Sequence, residues 1–367
     1  MFSRGSKGLA ADPYGAPTAG VSTDVLIIGD GVIGLSIACE LARSGATFVL
    51  VGARRAGAAS VAAAGLLAPS IGRLPDAARP FFDDSLCRYP LFVEALRPFE
   101  PALAMVQGLI DVSSETNAAG RTGRQLSAAE LATLESSVGW VHGARFHAGD
   151  GAIDNALLVR ALRWAAEVAP HGLIVTDDPV LTIDLSGNDP AVLLRSGTRL
   201  TARSVVLAAG AWTAAIDGLP RRVPVTPLKG QMLALASSCL THPVVGDDVY
   251  LVPRGCEIAV GATEERAGFD VRATPEAIDR LREAAVDICP PLKQSRVTRT
   301  WAGIRPVSPD MLPIIGYEPA DHRLIYACGH AKNGILLAPA TGAAVAALAQ
   351  RCRPAADLAP FSIMRFA

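Results

Sequence analysis

Residues 24–45 are the part of this sequence that most constrains its fold. Four consecutive apolar residues, Val25 to Ile28, are typical of a buried parallel strand. Glycines then follow at G-x-G-x-x-G spacing, and apolar residues at helical spacing continue to Gly45. Residues 47–51 (TFVLV) predict a second strand. A strand, a glycine turn, a helix and a second strand in this order are typical of a dinucleotide-binding unit.

Each glycine of the turn has a separate physical role. Gly29 permits the tight turn out of the strand, Gly31 lets the backbone approach a pyrophosphate, and Gly34 lets the helix pack closely on the strand. The free N–H groups and the dipole at the helix N-terminus favour an anion. We therefore expect the phosphates of a dinucleotide at this turn.

One part of the usual unit is missing. Such units carry an acidic residue at the end of the second strand, about 20 residues after the glycine turn. This residue binds the ribose hydroxyls. This sequence has Gly52 at that place, and Arg54 and Arg55 follow. Two interpretations stay open: backbone groups bind the ribose while the arginines are solvated, or the arginines bind the 2′-phosphate of NADP.

Composition bounds the protein class. The chain has 367 residues, of which 50% are hydrophobic and 19% charged, which is enough for two globular domains. A net charge of −1 gives no support for binding nucleic acid or an anionic membrane. Seven cysteines without a C-x-x-C pair predict a reducing compartment and no metal site. Residues 1–22 lack the apolar core of a signal peptide and predict a disordered tail, and no uncharged apolar stretch is long enough to span a membrane. We expect a cytoplasmic protein.

Several later segments predict local structure. Residues 152–169 predict an amphipathic helix that Asp154 or Asn155 caps, residues 275–288 predict another helix, and Ser127 with Glu130 has the spacing of a capping box. The Pro-rich residues 299–313 predict an irregular loop. Two strands, at 201–209 and 324–327, each run into a glycine-containing turn, so both turns are candidates for cofactor contact.

Seven motifs together resemble one known family. They are GDGVIG, AAAGLLAP, VVLAAGAW, PLKGQML, VYLVPR, WAGIRPVSPD and GHAKNGILLAPATG. The chain resembles the D-amino-acid oxidase superfamily of FAD-dependent oxidoreductases and, within it, the glycine oxidases associated with thiamine biosynthesis. The resemblance extends from about Asp24 to Leu348.

The resemblance implies an α/β protein with two domains. It predicts a Rossmann-like FAD-binding domain formed by residues 23–85, 150–222 and 300–367. The discontinuous substrate domain, with a mostly antiparallel sheet, would comprise residues 86–149 and 223–299. A homo-oligomer is also what the family suggests.

The resemblance further implies a reaction. Its members bind FAD non-covalently and oxidise a small amino acid or amine (glycine, sarcosine or a small D-amino acid) to an imine. The imine hydrolyses to a 2-oxo acid, and oxygen is reduced to hydrogen peroxide. Three alternatives stay open: a dehydrogenase that uses a quinone or another acceptor, a biosynthetic oxidase with a larger substrate, and a degenerate protein that binds little nucleotide.

The family pattern assigns candidate substrate residues. Arg305 matches an arginine that holds the substrate carboxylate, a task that suits a planar guanidinium, although it could instead bond loop carbonyls. Tyr250 matches a tyrosine near the substrate, or is simply a strand aromatic. Lys332 stands where glycine oxidases tend to have an arginine, and Asp248 stands where the family can have a histidine. An acid at Asp248 could favour a substrate with an extra amine, or could merely face solvent.

No side chain in the motifs is an obvious catalytic base, so solvent or a bound water is expected to deprotonate the substrate amine. His330 is a candidate base, but its Gly-rich loop favours a structural role. The candidate cofactor-binding residues are Gly29, Gly31, Val32, Ile33, Gly34, Ala59, Ser60, Ala64, Gly65, Leu66, Val180, Gly210, Trp212, Gly329, His330, Asn333, Gly334, Ile335 and Leu336.

Overall fold

The structure is a computed structural model that describes residues 22–72, 74–114, 122–139 and 143–367. The tail predicted for residues 1–22 lies outside these ranges except for Ser22, which begins the first strand. The helices are α1 (Val32–Ser44), α2 (Ala59–Ala62), α3 (Arg79–Leu96), α4 (Ala128–Leu134), α5 (Asn155–Glu167), α6 (Pro275–Ile288) and α7 (Gly334–Ala349). The strands are β1 (Ser22–Ile28), β2 (Phe48–Val51), β3 (Leu66–Leu67), β4 (Met105–Asp111), β5 (Arg124–Leu126), β6 (Ala144–Ile153), β7 (Gly172–Val175), β8 (Val180–Asp184), β9 (Ala191–Leu194), β10 (Arg199–Leu207), β11 (Thr226–Ala236), β12 (Val244–Val245), β13 (Tyr250–Arg254), β14 (Glu257–Gly261), β15 (Val297–Val307), β16 (Ile314–Glu318) and β17 (Asp321–Cys328).

The first sheet is mostly parallel. Its strand order is β16-β17-β10-β1-β2-β7, and β17, β10, β1, β2 and β7 run parallel. The chain moves from β1 to β2 on one side and later returns to β10 on the other. Ligands bind such sheets at the carboxyl ends of the strands where the order reverses. The turn after β1 stands at this place.

Helices α1 and α7 pack on each other over one face of this sheet because small residues let them approach closely. A Cβ added to Gly342 of α7 would lie 3.1 Å from the Cβ of Ser36 of α1. Helix α3 joins them, since the hydroxyl of Ser85 donates to the Leu336 carbonyl (2.8 Å) and that of Tyr89 donates to the Ile335 carbonyl. The resulting core lies between α1, α3, α5, α7 and one sheet face.

The second sheet is almost entirely antiparallel. Its order is β15-β11-β14-β13-β12-β4-β6-β3, and β5 pairs with β6. The pairing of β12 with β4 is its one parallel pairing among the described residues. The predicted combination of a Rossmann-like sheet with a second, mostly antiparallel sheet is confirmed.

Local predictions had mixed outcomes. Helix α6 has the predicted bounds, the Asp154 carboxylate accepts from the N–H groups of Ala156 and Leu157, and Ser127 and Glu130 form the capping box. The loop predicted for residues 299–313 is wrong. Residues Val297–Val307 form β15, which pairs with β11 along its length, so pairing in the sheet outweighs the local Pro and Gly signals.

None of the helices in the described part of the chain is both long enough and apolar enough to cross a membrane. Within the same ranges, no three His, Cys, Asp or Glu side chains come together as a metal site would require.

Candidate active site

A cavity of ≈ 670 Å³ extends from the N-terminus of α1 to Arg305 of the second sheet. Its size falls in the range of small-molecule and cofactor sites. Both sheets contribute to its wall, together with α2 and the turn before α7. The glycine turn after β1 and the candidate substrate residues therefore face one continuous space.

The glycine turn forms the first end of the cavity, and its geometry requires glycine. Gly29 has a φ of 119°, and a Cβ there would lie 2.2 Å from the Ala208 carbonyl oxygen. A Cβ on Gly34 would lie 1.9 Å from the Gly29 carbonyl oxygen. Gly31 caps α1 without any side-chain hydrogen bond, and only the Val32 N–H reaches a side chain, the Ser60 hydroxyl at 2.9 Å. The remaining N–H groups of the first turn suit an anion.

Helix α2 and the residues after it form a wall of small side chains that other elements hold in place. Asn155 donates to the Ser60 carbonyl (2.7 Å), and Trp301 donates to the Ala62 carbonyl (2.9 Å). Arg254 donates to the Ala63 carbonyl (3.0 Å). Because these carbonyls are bonded from outside, the wall is rigid although it carries almost no bulky side chains.

The turn between β17 and α7 forms the opposite wall. Gly329 and Ala331 both have positive φ, and the Ala331 N–H donates to the Pro306 carbonyl at 2.9 Å. The His330 ring is buried, and its Nε2 lies 3.2 Å from the Thr341 hydroxyl. Burial lowers the pKa of His330 from 6.5 to about 3. His330 is therefore neutral at ordinary pH.

Arg305 lies at the far end of the cavity, in a space that a glycine leaves for it. A Cβ added to Gly230 of β11 would lie 2.5 Å from both terminal guanidinium nitrogens of Arg305. One of these nitrogens, Nη1, donates to the Thr263 carbonyl at 2.9 Å. Burial raises the pKa of the neighbouring Tyr250 hydroxyl, while the Arg305 charge opposes that rise. Arg305 thus bonds one carbonyl and still presents further donors to the cavity.

A partly buried polar cluster holds the carbonyl that orients Arg305. The Thr263 hydroxyl accepts from the Gln231 N–H (2.9 Å) and donates to the Glu265 carboxylate (2.5 Å). The Gln231 amide also donates to Glu265 at 2.8 Å. Behind them, the buried Lys229 ammonium lies 3.1 Å from the Asp270 carboxylate. A satisfied network of this kind restricts the geometry of the guanidinium.

Further charges surround the mouth of the cavity. Lys332 pairs with Glu264, and the two side chains are 52% and 47% exposed. Asp247 accepts from the Ser114 hydroxyl at 2.9 Å, and Asp248 beside it lines the cavity. The Lys332 charge is therefore compensated and solvated, unlike that of Arg305.

The two arginines after β2 have separate partners. Arg54 lies 3.4 Å from the Asp177 carboxylate at the surface, and the Arg55 guanidinium lies 5.7 Å from the centroid of the Trp212 ring. Trp212 in turn stacks on Phe269 at 5.2 Å between centroids. This arrangement does not support the alternative of a joint site for an NADP phosphate.

The structure brings most of the predicted site residues together. Among the predicted residues, only Gly34 and Leu336 lie off the cavity wall: Gly34 packs on Gly29, and the Leu336 carbonyl is bonded by Ser85. Among the cavity residues that sequence reasoning did not assign to the site are Asp30, Gly230 and Glu264. For Gly230 a signal existed, because a glycine inside a strand often marks a close approach.

Comparisons with known proteins agree with this geometry. A sequence profile of the family described as FAD dependent oxidoreductase matches residues 24–348. The chain is 32% identical to a glycine oxidase of Geobacillus kaustophilus, with 93% of this chain and 97% of that protein covered. The crystal structure of glycine oxidase from Geobacillus kaustophilus superposes with a TM-score of 0.87 at 29% identity, covering 94% of this chain and 99% of that one.

A longer relative also matches. The bifunctional protein ThiO/ThiG of Synechocystis sp. is 36% identical over 94% of this chain but only 54% of its own length. The chain thus spans about half the length of that bifunctional relative.

Proposed function

Because this chain belongs to the family of FAD-dependent oxidoreductases, we propose that it oxidises a small amino acid or amine. Glycine, sarcosine and small D-amino acids are the proposed substrates. The substrate loses a hydride and a proton to become an imine, and water hydrolyses the imine to a 2-oxo acid and ammonia, or methylamine where sarcosine is the substrate. Bound FAD supplies the two-electron acceptor, and oxygen takes up the two electrons to form hydrogen peroxide.

The observation that carries this proposal is the position of Arg305 in the same cavity as the N-terminus of α1. The helix terminus suits the pyrophosphate of FAD, and the guanidinium suits a carboxylate. The small side chains of α2 and the turn around Gly329 leave room for a flat ring between these two ends. The residues present therefore fit FAD together with an amino acid.

The chain's own groups bind and orient the substrate. We assign the carboxylate to Arg305, whose Nη1 is held by the Thr263 carbonyl, with the neutral Tyr250 hydroxyl as an additional donor. The substrate amine must be neutral before it can release a hydride. A group with a pKa of about 3 accepts few protons at neutral pH, so His330 does not suit this task. We propose that water removes the ammonium proton.

We also propose a biological setting. The motifs resemble the glycine oxidases associated with thiamine biosynthesis, and we assign the reaction to that pathway. All seven cysteines are free thiols, which fits the reducing environment of the cytoplasm. We propose that the first sheet belongs to the FAD-binding domain and most of the second sheet to the substrate-binding domain. The second sheet also contains β3 and residues 300–307 of β15, which the predicted bounds assign to the FAD-binding domain. A homo-oligomer is the assembly that we expect.

Anaerobic flavin spectroscopy tests the proposed function. The purified full-length protein should show a flavin band that bleaches on addition of glycine, sarcosine or D-alanine. The variant Arg305→Met should keep the flavin band and need about 100-fold more of each compound to bleach it at the same rate. Flavin that stays oxidised with all three compounds would refute the small-substrate proposal.

Readmitting oxygen distinguishes the oxidase from a dehydrogenase of the same fold. The proposal requires one hydrogen peroxide per imine formed. Flavin that bleaches with substrate, stays reduced in air and is reoxidised by a quinone would show a dehydrogenase instead.

A further inference from the structure

The place of the missing ribose-binding acid is taken by another carboxylate. A Cβ built on Gly52, at the end of β2, would lie 2.3 Å from both Cγ and Oδ2 of Asp30. It would also lie 2.7 Å from the Asp30 Cβ. The Asp30 side chain therefore occupies the space that a side chain at position 52 would enter. Position 52 must be glycine as long as Asp30 keeps this conformation.

Asp30 belongs to the cavity, whereas Gly52 does not contribute to its wall. Asp30 is the second residue of the G-x-G-x-x-G turn, and it lines the cavity together with Val51 and Ala53, which flank position 52. Its side chain is 16% exposed, so the carboxylate is largely sheltered beside the cavity that Asp30 lines. An acid at the end of β2 is thus present, although it comes from a different point in the chain.

Arg163 of α5 holds this carboxylate in position. Its Nη2 donates to Asp30 Oδ2 at 2.6 Å and lies 3.5 Å from the Asp30 carbonyl oxygen. In the described part of the chain, the hydrogen bonds of the Asp30 side chain all use Oδ2, so Oδ1 keeps its acceptor capacity. A carboxylate offers about four acceptor positions, which is enough for one arginine and two vicinal hydroxyls.

The charge of Asp30 also needs an explanation in a turn that suits phosphates. An unpaired carboxylate beside a pyrophosphate would be repelled by it. The ion pair with Arg163 compensates the charge, and contact with Gly52 places the carboxylate at the end of β2. That end of a dinucleotide-binding unit is where the ribose hydroxyls bind.

We propose that Asp30 binds the ribose hydroxyls of the adenosine half of FAD, in place of an acid at position 52, and that Arg163 positions its carboxylate. The loss of the acid at Gly52 is then compensated within the same site. This inference concerns the cofactor and does not depend on the proposed substrate. It can be tested even if none of the tested amines reduces the flavin.

The test combines variants with a cofactor analogue. Flavin-free full-length protein is titrated with FAD and with FAD that has a 2′-deoxyribose in its adenosine half, and quenching of flavin fluorescence gives both dissociation constants. Asp30→Asn keeps the side-chain size, and Asp30→Ala removes the carboxylate. Asp177→Asn is the matched control, because Asp177 is an exposed acid after β7 that does not line the cavity.

We expect Asp30→Ala to weaken FAD binding about 10- to 100-fold, as for the loss of hydrogen bonds to a charged group. Asp30→Asn should fall between Asp30→Ala and the unmodified protein, and Asp177→Asn should bind FAD normally. The unmodified protein should prefer FAD over the deoxy analogue, and Asp30→Ala should lose this preference. An Asp30→Ala protein that still discriminates the analogue by the original factor would overturn the proposal.

Moving the acid from position 30 to position 52 provides a second test. If Asp30 had a purely structural role, this exchange would not restore FAD binding. Gly52→Glu alone should fail to bind FAD, because its side chain meets the Asp30 carboxylate. The double variant Asp30→Gly with Gly52→Glu should recover FAD affinity and the preference over the deoxy analogue. A correctly folded double variant that binds both compounds as weakly as Asp30→Ala would also overturn the proposal.

Discussion

A methyl group on Gly230 would lie 2.5 Å from both terminal guanidinium nitrogens of Arg305. Strand β11 thus has no side chain at Gly230, where the Arg305 guanidinium of strand β15 lies over strand β11. The close approach aims Arg305 into the cavity, where the Thr263 carbonyl holds one of its nitrogens. Arg305 is the only arginine that we assign to the substrate carboxylate. The position of its guanidinium therefore depends on Gly230, which carries no functional group of its own.

Replacing Gly230 by alanine should move this guanidinium without unfolding the protein. The three atoms nearest to the methyl group all belong to the flexible end of the Arg305 side chain, so the guanidinium should shift and the carboxylate lose its bidentate partner. We expect KM for glycine to rise about tenfold, as for the loss of one charged hydrogen bond, with little change in Tm. Steady-state kinetics and thermal unfolding measure the two quantities.

The control for this prediction is the double variant Gly230→Ala with Arg305→Met. If the methyl group acts only through the guanidinium, the double variant should bind substrate no more weakly than Arg305→Met alone. Additive losses in binding would contradict this explanation.

Arg305 and Lys332 should differ strongly in their contribution to substrate binding. Arg305→Met removes a sheltered bidentate donor, and we expect KM to rise about 100-fold. Lys332 is 52% exposed and already pairs with Glu264, so Lys332→Met should raise KM less than about fivefold. Raising the salt concentration should reduce the effect of Lys332→Met further. Equal losses in the two variants would show that both cations bind the carboxylate directly.

Gly34 should tolerate no side chain at all. A Cβ there would lie 1.9 Å from the Gly29 carbonyl oxygen and 3.0 Å from its carbon, and backbone cannot move aside as a side chain can. We expect Gly34→Ala to lower the free energy of unfolding by about 3 kcal/mol and to impair FAD binding. Denaturant unfolding of the flavin-free protein isolates the first effect.

Gly149 provides the matched control for Gly34. A Cβ at Gly149 would have no heavy atom within 4 Å, so Gly149→Ala should change stability by less than about 0.5 kcal/mol. Similar losses in the two variants would mean that the packing of α1 on β1 is looser than the structure shows.

The neutral His330 should make the folded state sensitive to acid. Burial lowers the pKa of His330 to about 3 in the folded protein, from 6.5 for an unburied histidine. Below pH 6.5 the unfolded state therefore binds more protons than the folded state. The stabilisation is complete above the unfolded pKa and is lost as the pH falls toward 3. Between pH 7 and pH 5 the loss amounts to about 2 kcal/mol.

Comparing His330→Gln with the unmodified protein isolates this contribution. Asp150 acts in the opposite direction, because burial raises the pKa of its carboxyl to about 6 and protonation then favours the folded state. The free energy of unfolding should fall more slowly with acid in His330→Gln than in the unmodified protein. Parallel curves for His330→Gln and the unmodified protein would show that His330 has the same pKa in the folded and the unfolded state.

Patterns over short stretches predicted the features that depend on neighbouring residues in the chain. The glycine turn after β1, the bounds of α6 and the capping box of Ser127 all follow from local backbone requirements. These requirements act within one turn or one strand, so the sequence alone contains them. The family motifs extended the prediction to Arg305 and Tyr250, both of which line the cavity.

The tertiary structure decided what depends on segments far apart in the chain. The Pro-rich stretch predicted as a loop is β15, because β11 satisfies its backbone groups. Gly52 suggested a lost acid, whereas the Asp30 carboxylate fills that place. Residues 30 and 52 meet only because β1 and β2 pair side by side in one sheet. A sequence shows which side chains are present, but which of them share a space is determined by packing between elements that the chain does not place next to each other.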